Sequence, residues 1–124
     1  MFNAGILTIS DKGSRGERID ESGKVIKEIL AALDARVLKY EIVPDEREVI
    51  STRLAEWVDR EGIELILTTG GTGLTPRDVT PEATLAVIDK EVPGFAEAMR
   101  AGSLKKTPMA VLSRAVAGIR KRSL

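Results

Sequence analysis

The sequence predicts an α/β fold with a mostly parallel sheet. Short runs rich in β-branched residues alternate with stretches of helical apolar spacing, and each run ends in a polar or glycine-bearing loop. A chain of 124 residues has the length of one domain with one core. Strands joined by helical crossovers in that order lie parallel, with right-handed connections.

Residues 4–9 are a short apolar run that empties into Ser10-Asp11-Lys12-Gly13, which places Ser10 and Asp11 at the C-terminal end of a first strand. Val25, Ile26, Ile29, Leu30 and Leu33 then recur at helical spacing as one inward stripe. Residues 37–43 read as a second strand, closed by Pro44, whose ring and missing amide end the ladder. In the next helix Asp45 stands where an N-cap would, Glu48 follows three residues later, Ile50, Leu54, Trp57 and Val58 face inward, and Gly62 ends it. Residues 63–69 form the third strand.

Beyond the third strand, Thr80 is expected to cap a helix that has Pro81 at its first position and Leu85, Val87 and Ile88 on its apolar side. Pro93-Gly94 breaks it, and residues 95–106 form a further helix that Thr107-Pro108 ends. Residues 109–119 fit neither template on periodicity. Trp57 and Met99 are expected in the core, and the basic segment 120–122 in a solvated turn.

Composition narrows the chemistry. Nineteen basic and nineteen acidic residues cancel, so no general field draws the chain to nucleic acid or to an anionic membrane. Cysteine and histidine are both absent, which removes disulfides, thiolate metal sites, thiol nucleophiles and the Ser-His-Asp route to acyl transfer. Carboxylates, hydroxyls and backbone remain, and oxygen donors suit a hard cation such as Mg2+. The N-terminus has no basic lead and too short an apolar run for a signal peptide or a membrane span, so a soluble cytoplasmic protein is expected.

The chemistry is expected at the stretch from Leu65 to Glu82, where an apolar run stops at three glycines and a helix start follows. Gly70, Gly71 and Gly73 offer backbone amides ahead of a helix start, a common way to hold an anionic group, although a plain strand-to-helix turn has the same composition. It is neither a P-loop nor a complete dinucleotide fingerprint. Asp78 follows, able to ligate Mg2+, to cap a turn or to pair with Arg77. In an open parallel sheet Ser10, Asp11, Asp45 and the glycine loop all reach the same rim beyond the strand ends. Amides, two aspartates and Mg2+ suit phosphoryl or nucleotidyl transfer, which needs positioned phosphates and little covalent chemistry from the protein.

Thr68-Thr69-Gly70-Gly71-Thr72-Gly73 followed by Thr75-Pro76-Arg77-Asp78-Val79-Thr80-Pro81-Glu82-Ala83-Thr84 resembles the molybdopterin adenylyltransferase family of molybdenum-cofactor synthesis, to which the gephyrin G domain belongs. Thr8-Ile9-Ser10-Asp11, Val43-Pro44-Asp45-Glu46, Val92-Pro93-Gly94-Phe95 and Leu112-Ser113-Arg114 resemble further motifs of the family in the same order. The resemblance implies a three-layer α/β/α fold, a homotrimer, and use of ATP and Mg2+ to adenylylate the phosphate of molybdopterin with release of pyrophosphate. It also implies contact with the pathway's molybdenum-insertion protein.

Carried over by position, Asp45 and Asp78 match the family's essential aspartates, placed at the metal and the reacting phosphates. Gly70, Gly71, Thr72 and Gly73 match its glycine loop, Ser10 and Asp11 its strand-end pair, and Ser113 a later hydroxyl near the pterin. In the family the segment matching residues 110–124 continues into an apolar strand, a Pro-Gly-small-Pro turn and closing helices. The expectation is therefore one domain, 1–124, lacking that closing part. The alternative function is a molybdopterin-binding module or scaffold without adenylyl transfer. A generic phosphometabolite enzyme on the same fold class leaves the additional motif matches as coincidence.

Overall fold

A computed structural model describes residues 1–124. In chain order the elements are β1 (Phe2–Ile9), α1 (Asp11–Ser14), α2 (Glu21–Ala32), β2 (Ala35–Val43), α3 (Arg47–Asp59), β3 (Leu65–Thr69), α4 (Thr80–Leu85), β4 (Lys90–Glu91) and α5 (Pro93–Leu104). A 3-10 turn (Pro108–Leu112) and β5 (Gly118–Ile119) follow. β1, β2 and β3 form a parallel sheet, as the alternation of strands and helices predicts, and their order is β2-β1-β3. β4 and β5 make a separate antiparallel pair.

The side-chain alternation of β1 sorts the core into two layers. Leu7 and Ile9 point to one face, where they join Ile50, Leu54 and Trp57 of α3, together with Ile63 and Ala83. Ala4 and Ile6 point to the other, against Leu30 and Ile26 of α2. The central strand is thus covered on both sides, as buried parallel strands are. Trp57 lies directly over Gly5, where a Cβ would stand 2.9 Å from the indole. Leu124 exchanges backbone hydrogen bonds with Glu64 and Ile66 beside β3.

Several local expectations give way to tertiary contacts. In α2 the inner stripe is Gly23, Ile26 and Leu30, while Val25, Ile29 and Leu33 are exposed. α3 is capped by Glu46 without a side-chain bond, so Asp45 is not its N-cap. Thr80 lies inside α4, after Val79, and its hydroxyl donates to the Gly70 carbonyl at 2.8 Å instead of capping. That helix ends at Leu85, and the next residues turn into β4 to meet β5. Pro93 starts α5 and does not merely break the preceding helix, because a first-turn proline lacks only an amide that would be unpaired anyway. Met99 is exposed, contrary to its expected place in the core. The ambiguous segment 109–119 divides between the 3-10 turn, an extended stretch and β5. Residues 120–123 do form a turn, in which Arg120 pairs with Ser123.

Candidate functional site

With β1 between its two neighbours, the chain leaves β1 through α2 in one direction and returns through α3 to the opposite side. The crevice between the ends of β1 and β3 is therefore a topological switch point, the usual ligand position in open α/β sheets. A polar cavity of about 820 Å3 opens there, lined by Ser10, Asp20, Asp45, Gly70, Gly71 and Asp78 among others.

The glycine loop takes its shape from close approach. Gly70 has φ +99, and a Cβ on it would lie 2.2 Å from the Ile9 carbonyl oxygen, so only glycine lets the end of β3 run this close to β1. Gly71 has φ +70, and its Cβ would meet Thr80 Oγ1 at 2.2 Å and Asp45 Oδ1 at 3.2 Å. A Cβ on Gly73 would lie 2.8 Å from Asp78 Oδ2. The loop is therefore bordered by one aspartate at each end.

Asp45 is held by a reciprocal clamp. Its Oδ2 accepts the Asp11 amide at 2.9 Å, while its own amide donates to Asp11 Oδ1 at 3.0 Å. Asp11 is in turn gripped by Arg77, whose Nε and Nη2 donate to the two carboxylate oxygens at 3.1 and 2.8 Å. Ser10 caps α1 by accepting the Gly13 amide at 3.0 Å. Asp78 Oδ2 accepts both the amide (3.0 Å) and the hydroxyl (2.8 Å) of Thr75.

Burial pushes the Asp45 carboxyl above its usual range, and the neighbouring carboxylates of Asp11 and Asp78 add to that against the Asp11 amide and Arg77. Asp11 moves the other way, chiefly through its hydrogen bonds from Arg77 and then from the Asp45 amide. The site thus gathers three carboxylates, with Asp45 raised by burial and by the charge of its neighbours, and a cation bound there would offset that repulsion. No group of three or more carboxylate, histidine or cysteine side chains stands ready as a complete metal cage. Two aspartates plus substrate phosphates are nevertheless a usual donor set for Mg2+, so the residues present fit that ion.

The structure brings Ser10, Asp45, Gly70, Gly71 and Asp78 to the cavity wall and sets Asp11 behind Asp45. Thr72, Gly73 and Ser113 do not line it. Thr72 and Gly73 continue the same loop, whereas the Ser113 hydroxyl accepts the Ala115 amide at 3.4 Å. Sequence reasoning missed Asp20, which caps α2, accepts the Thr8 hydroxyl at 2.6 Å and the Tyr40 hydroxyl, and faces the cavity. An aspartate just ahead of the helical repeat at Val25 was the available signal. Arg77, a possible partner of Asp78 on sequence grounds, pairs with Asp11.

A glycine turn between two aspartates thus stands at the switch point of an open parallel α/β sheet, where proteins of this class bind their ligands. Residues 5–122 match the family described as a probable molybdopterin binding domain, and the chain belongs to that family. It is 49% identical over 125 residues to the molybdopterin adenylyltransferase of Helicobacter pylori strain J99, covering 99% of this chain and 71% of the relative. Against the Escherichia coli K12 enzyme of the same name it is 46% identical, over 97% of this chain and 63% of that one. Among solved structures, the molybdopterin biosynthesis enzyme MoaB of Thermus thermophilus superposes with a TM-score of 0.94 at 60% identity, over all of this chain and 78% of that one. No helix is long and apolar enough to cross a membrane.

Proposed function

We propose that the protein adenylylates molybdopterin: an oxygen of the molybdopterin phosphate attacks the α-phosphorus of ATP, and the bond to the β-phosphate oxygen breaks, releasing pyrophosphate. The observation that carries this reading is the placement of Asp45 and Asp78 at either end of the glycine loop, over a polar cavity at the strand ends. The names of the close relatives support the same chemistry.

Reaction at phosphorus needs alignment and charge stabilisation more than a protein nucleophile. Gly70 and Gly71 line the cavity without side chains of their own, and their amides would hold phosphate there. Asp45 and Asp78 would hold Mg2+, which when bound offsets the charge that develops on the phosphate oxygens. The clamp between Asp11 and Asp45 fixes the Asp45 carboxylate before substrate arrives, and Arg77 neutralises Asp11, so that the rim facing a polyanion does not carry three free negative charges. A trimer and contact with a molybdenum-insertion protein belong to the same reading.

Pyrophosphate release from molybdopterin, ATP and Mg2+ by the purified protein tests it, with Asp78→Asn in parallel. The expected result is Mg2+-dependent release that falls by at least about 100-fold in the variant, the usual scale for losing a group that stabilises transition-state charge. An unchanged rate in Asp78→Asn overturns the assignment of Asp78, and tight molybdopterin binding without release in the wild type makes the chain a binding module instead.

A further inference from the structure

We propose that Arg114, which lies outside the cavity, is a positioning residue that fixes the Asp78 carboxylate by tying both ends of its loop to α4. The backbone amide of Arg114 donates to the Thr72 carbonyl at 2.9 Å, and its Nε donates to the Gly73 carbonyl at 2.8 Å. Nη2 donates to the Asp78 carbonyl at 2.8 Å. Nη1 is anchored on Glu82 Oε2 at 2.6 Å, with Nη2 also reaching Glu82 Oε1 at 3.4 Å. One residue therefore grips the loop where it leaves the glycines and again where it delivers Asp78.

These contacts have no substitute nearby. Residues 70–79 contain no helix or strand, and their own backbone bonds are few: Asp78 donates to the Thr75 carbonyl at 3.0 Å, and Thr80 donates to the Gly71 carbonyl at 3.1 Å. The carbonyls of Thr72, Gly73 and Asp78 take their protein hydrogen bonds from Arg114. The guanidinium itself serves three acceptors in three directions, the Gly73 carbonyl, the Asp78 carbonyl and the Glu82 carboxylate, which calls for a planar fork with donors at fixed angles. Lysine keeps the charge but offers one rotating ammonium on a flexible stem. Glu82, one turn into α4 from Asp78, holds the guanidinium so that little side-chain freedom is left to lose on catalysis.

The assignment rests on the adenylyl-transfer reading of Asp78, so its test includes a readout that does not. Arg114→Lys and Glu82→Gln are compared with the wild type for kcat, for KM of ATP, and for amide hydrogen exchange at Thr75 and Asp78, whose N–H groups bond within the loop. Loss of the fork is expected to lower kcat by about 10- to 100-fold, the scale of an ångström-size misplacement, with KM of ATP little changed. Exchange at both amides is expected to quicken. Glu82→Gln keeps the three carbonyl contacts and should shift both readouts in the same direction by less. It decides the matter if Arg114→Lys does not fold. Retained kcat in Arg114→Lys, or a lower kcat with exchange at Thr75 and Asp78 unchanged, overturns the proposal. If the wild type releases no pyrophosphate, the adenylyl-transfer reading fails by itself, and quickened or unchanged exchange still decides for or against the role of Arg114 in the loop.

Discussion

Replacing Gly70 by alanine probes the contact on which the loop is built. An L-residue held at φ +99 costs about 1–3 kcal/mol in backbone strain. The added Cβ would also meet the Ile9 carbonyl oxygen at 2.2 Å, where a carbon–oxygen contact normally settles near about 3.5 Å, so the ends of β1 and β3 must part by roughly 1 Å. The Gly70 carbonyl moves with them, putting at risk its 2.8 Å bond from buried Thr80, a further loss of about 1 kcal/mol. A destabilisation of about 2–4 kcal/mol follows, read as a urea midpoint lower by about 1–2 M at an m value typical of small domains. Because Ser10 and Asp11 follow Ile9 directly, the same displacement moves the clamp on Asp45 and should slow turnover by about 100-fold even in the folded fraction. Stability within about 0.5 kcal/mol of wild type, together with normal turnover, would refute the proposed wedge between β3 and β1.

Two further outcomes concern titration. Burial, and then the hydrogen bond to Asp20, push the phenol of Tyr40 up to about 12, so the stabilisation from its protonated form holds below the ordinary value near about 10 and is lost as pH rises through about 12. Since Tyr40 is the single tyrosine, an ultraviolet absorbance titration reads it alone. The midpoint should fall back toward about 10 in Asp20→Asn, and a wild-type midpoint already there would contradict the contact. Asp59, held down to about 2 by hydrogen bonds from Arg120 and then Lys121, gives stabilisation that is present above its unfolded value near about 4 and is lost as pH falls toward about 2. Acid unfolding across that interval should be less steep in Asp59→Asn, and identical curves would show that the pairs with Arg120 and Lys121 contribute nothing.

The sheet could be read from the sequence because its signals are local and agree with one another. Apolar runs, Pro44 and the glycines after Thr69 each mark a boundary, and the parallel direction follows from the crossovers, whereas the order β2-β1-β3 depends on which edge of β1 each returning strand meets. Gathering Ser10, Asp45 and the glycine loop at one rim needed only the rule that the ends of parallel strands share an edge. What could not be read depends on contacts between distant residues. Asp45 and Thr80 look like caps, yet Asp11 and the Gly70 carbonyl compete for them and win. Val25, Ile29 and Leu33 repeat at helical spacing, but periodicity does not say how much of an apolar arc a three-stranded sheet can cover. β4 and β5 are two residues each and exist only through their mutual pairing. Arg114 was visible as part of a motif, while its side-chain partners lie 32 to 41 residues earlier in the chain.

Transfer of label from ATP carrying a radioactive α-phosphate is the most direct test of the chemistry assigned to the rim. With molybdopterin and Mg2+, the label should move into an adenylyl-molybdopterin product as unlabelled pyrophosphate appears in equal amount, and Asp45→Asn or Asp78→Asn should abolish both. Label that stays in ATP, or is released as free AMP while molybdopterin remains unmodified, would contradict adenylyl transfer at this site.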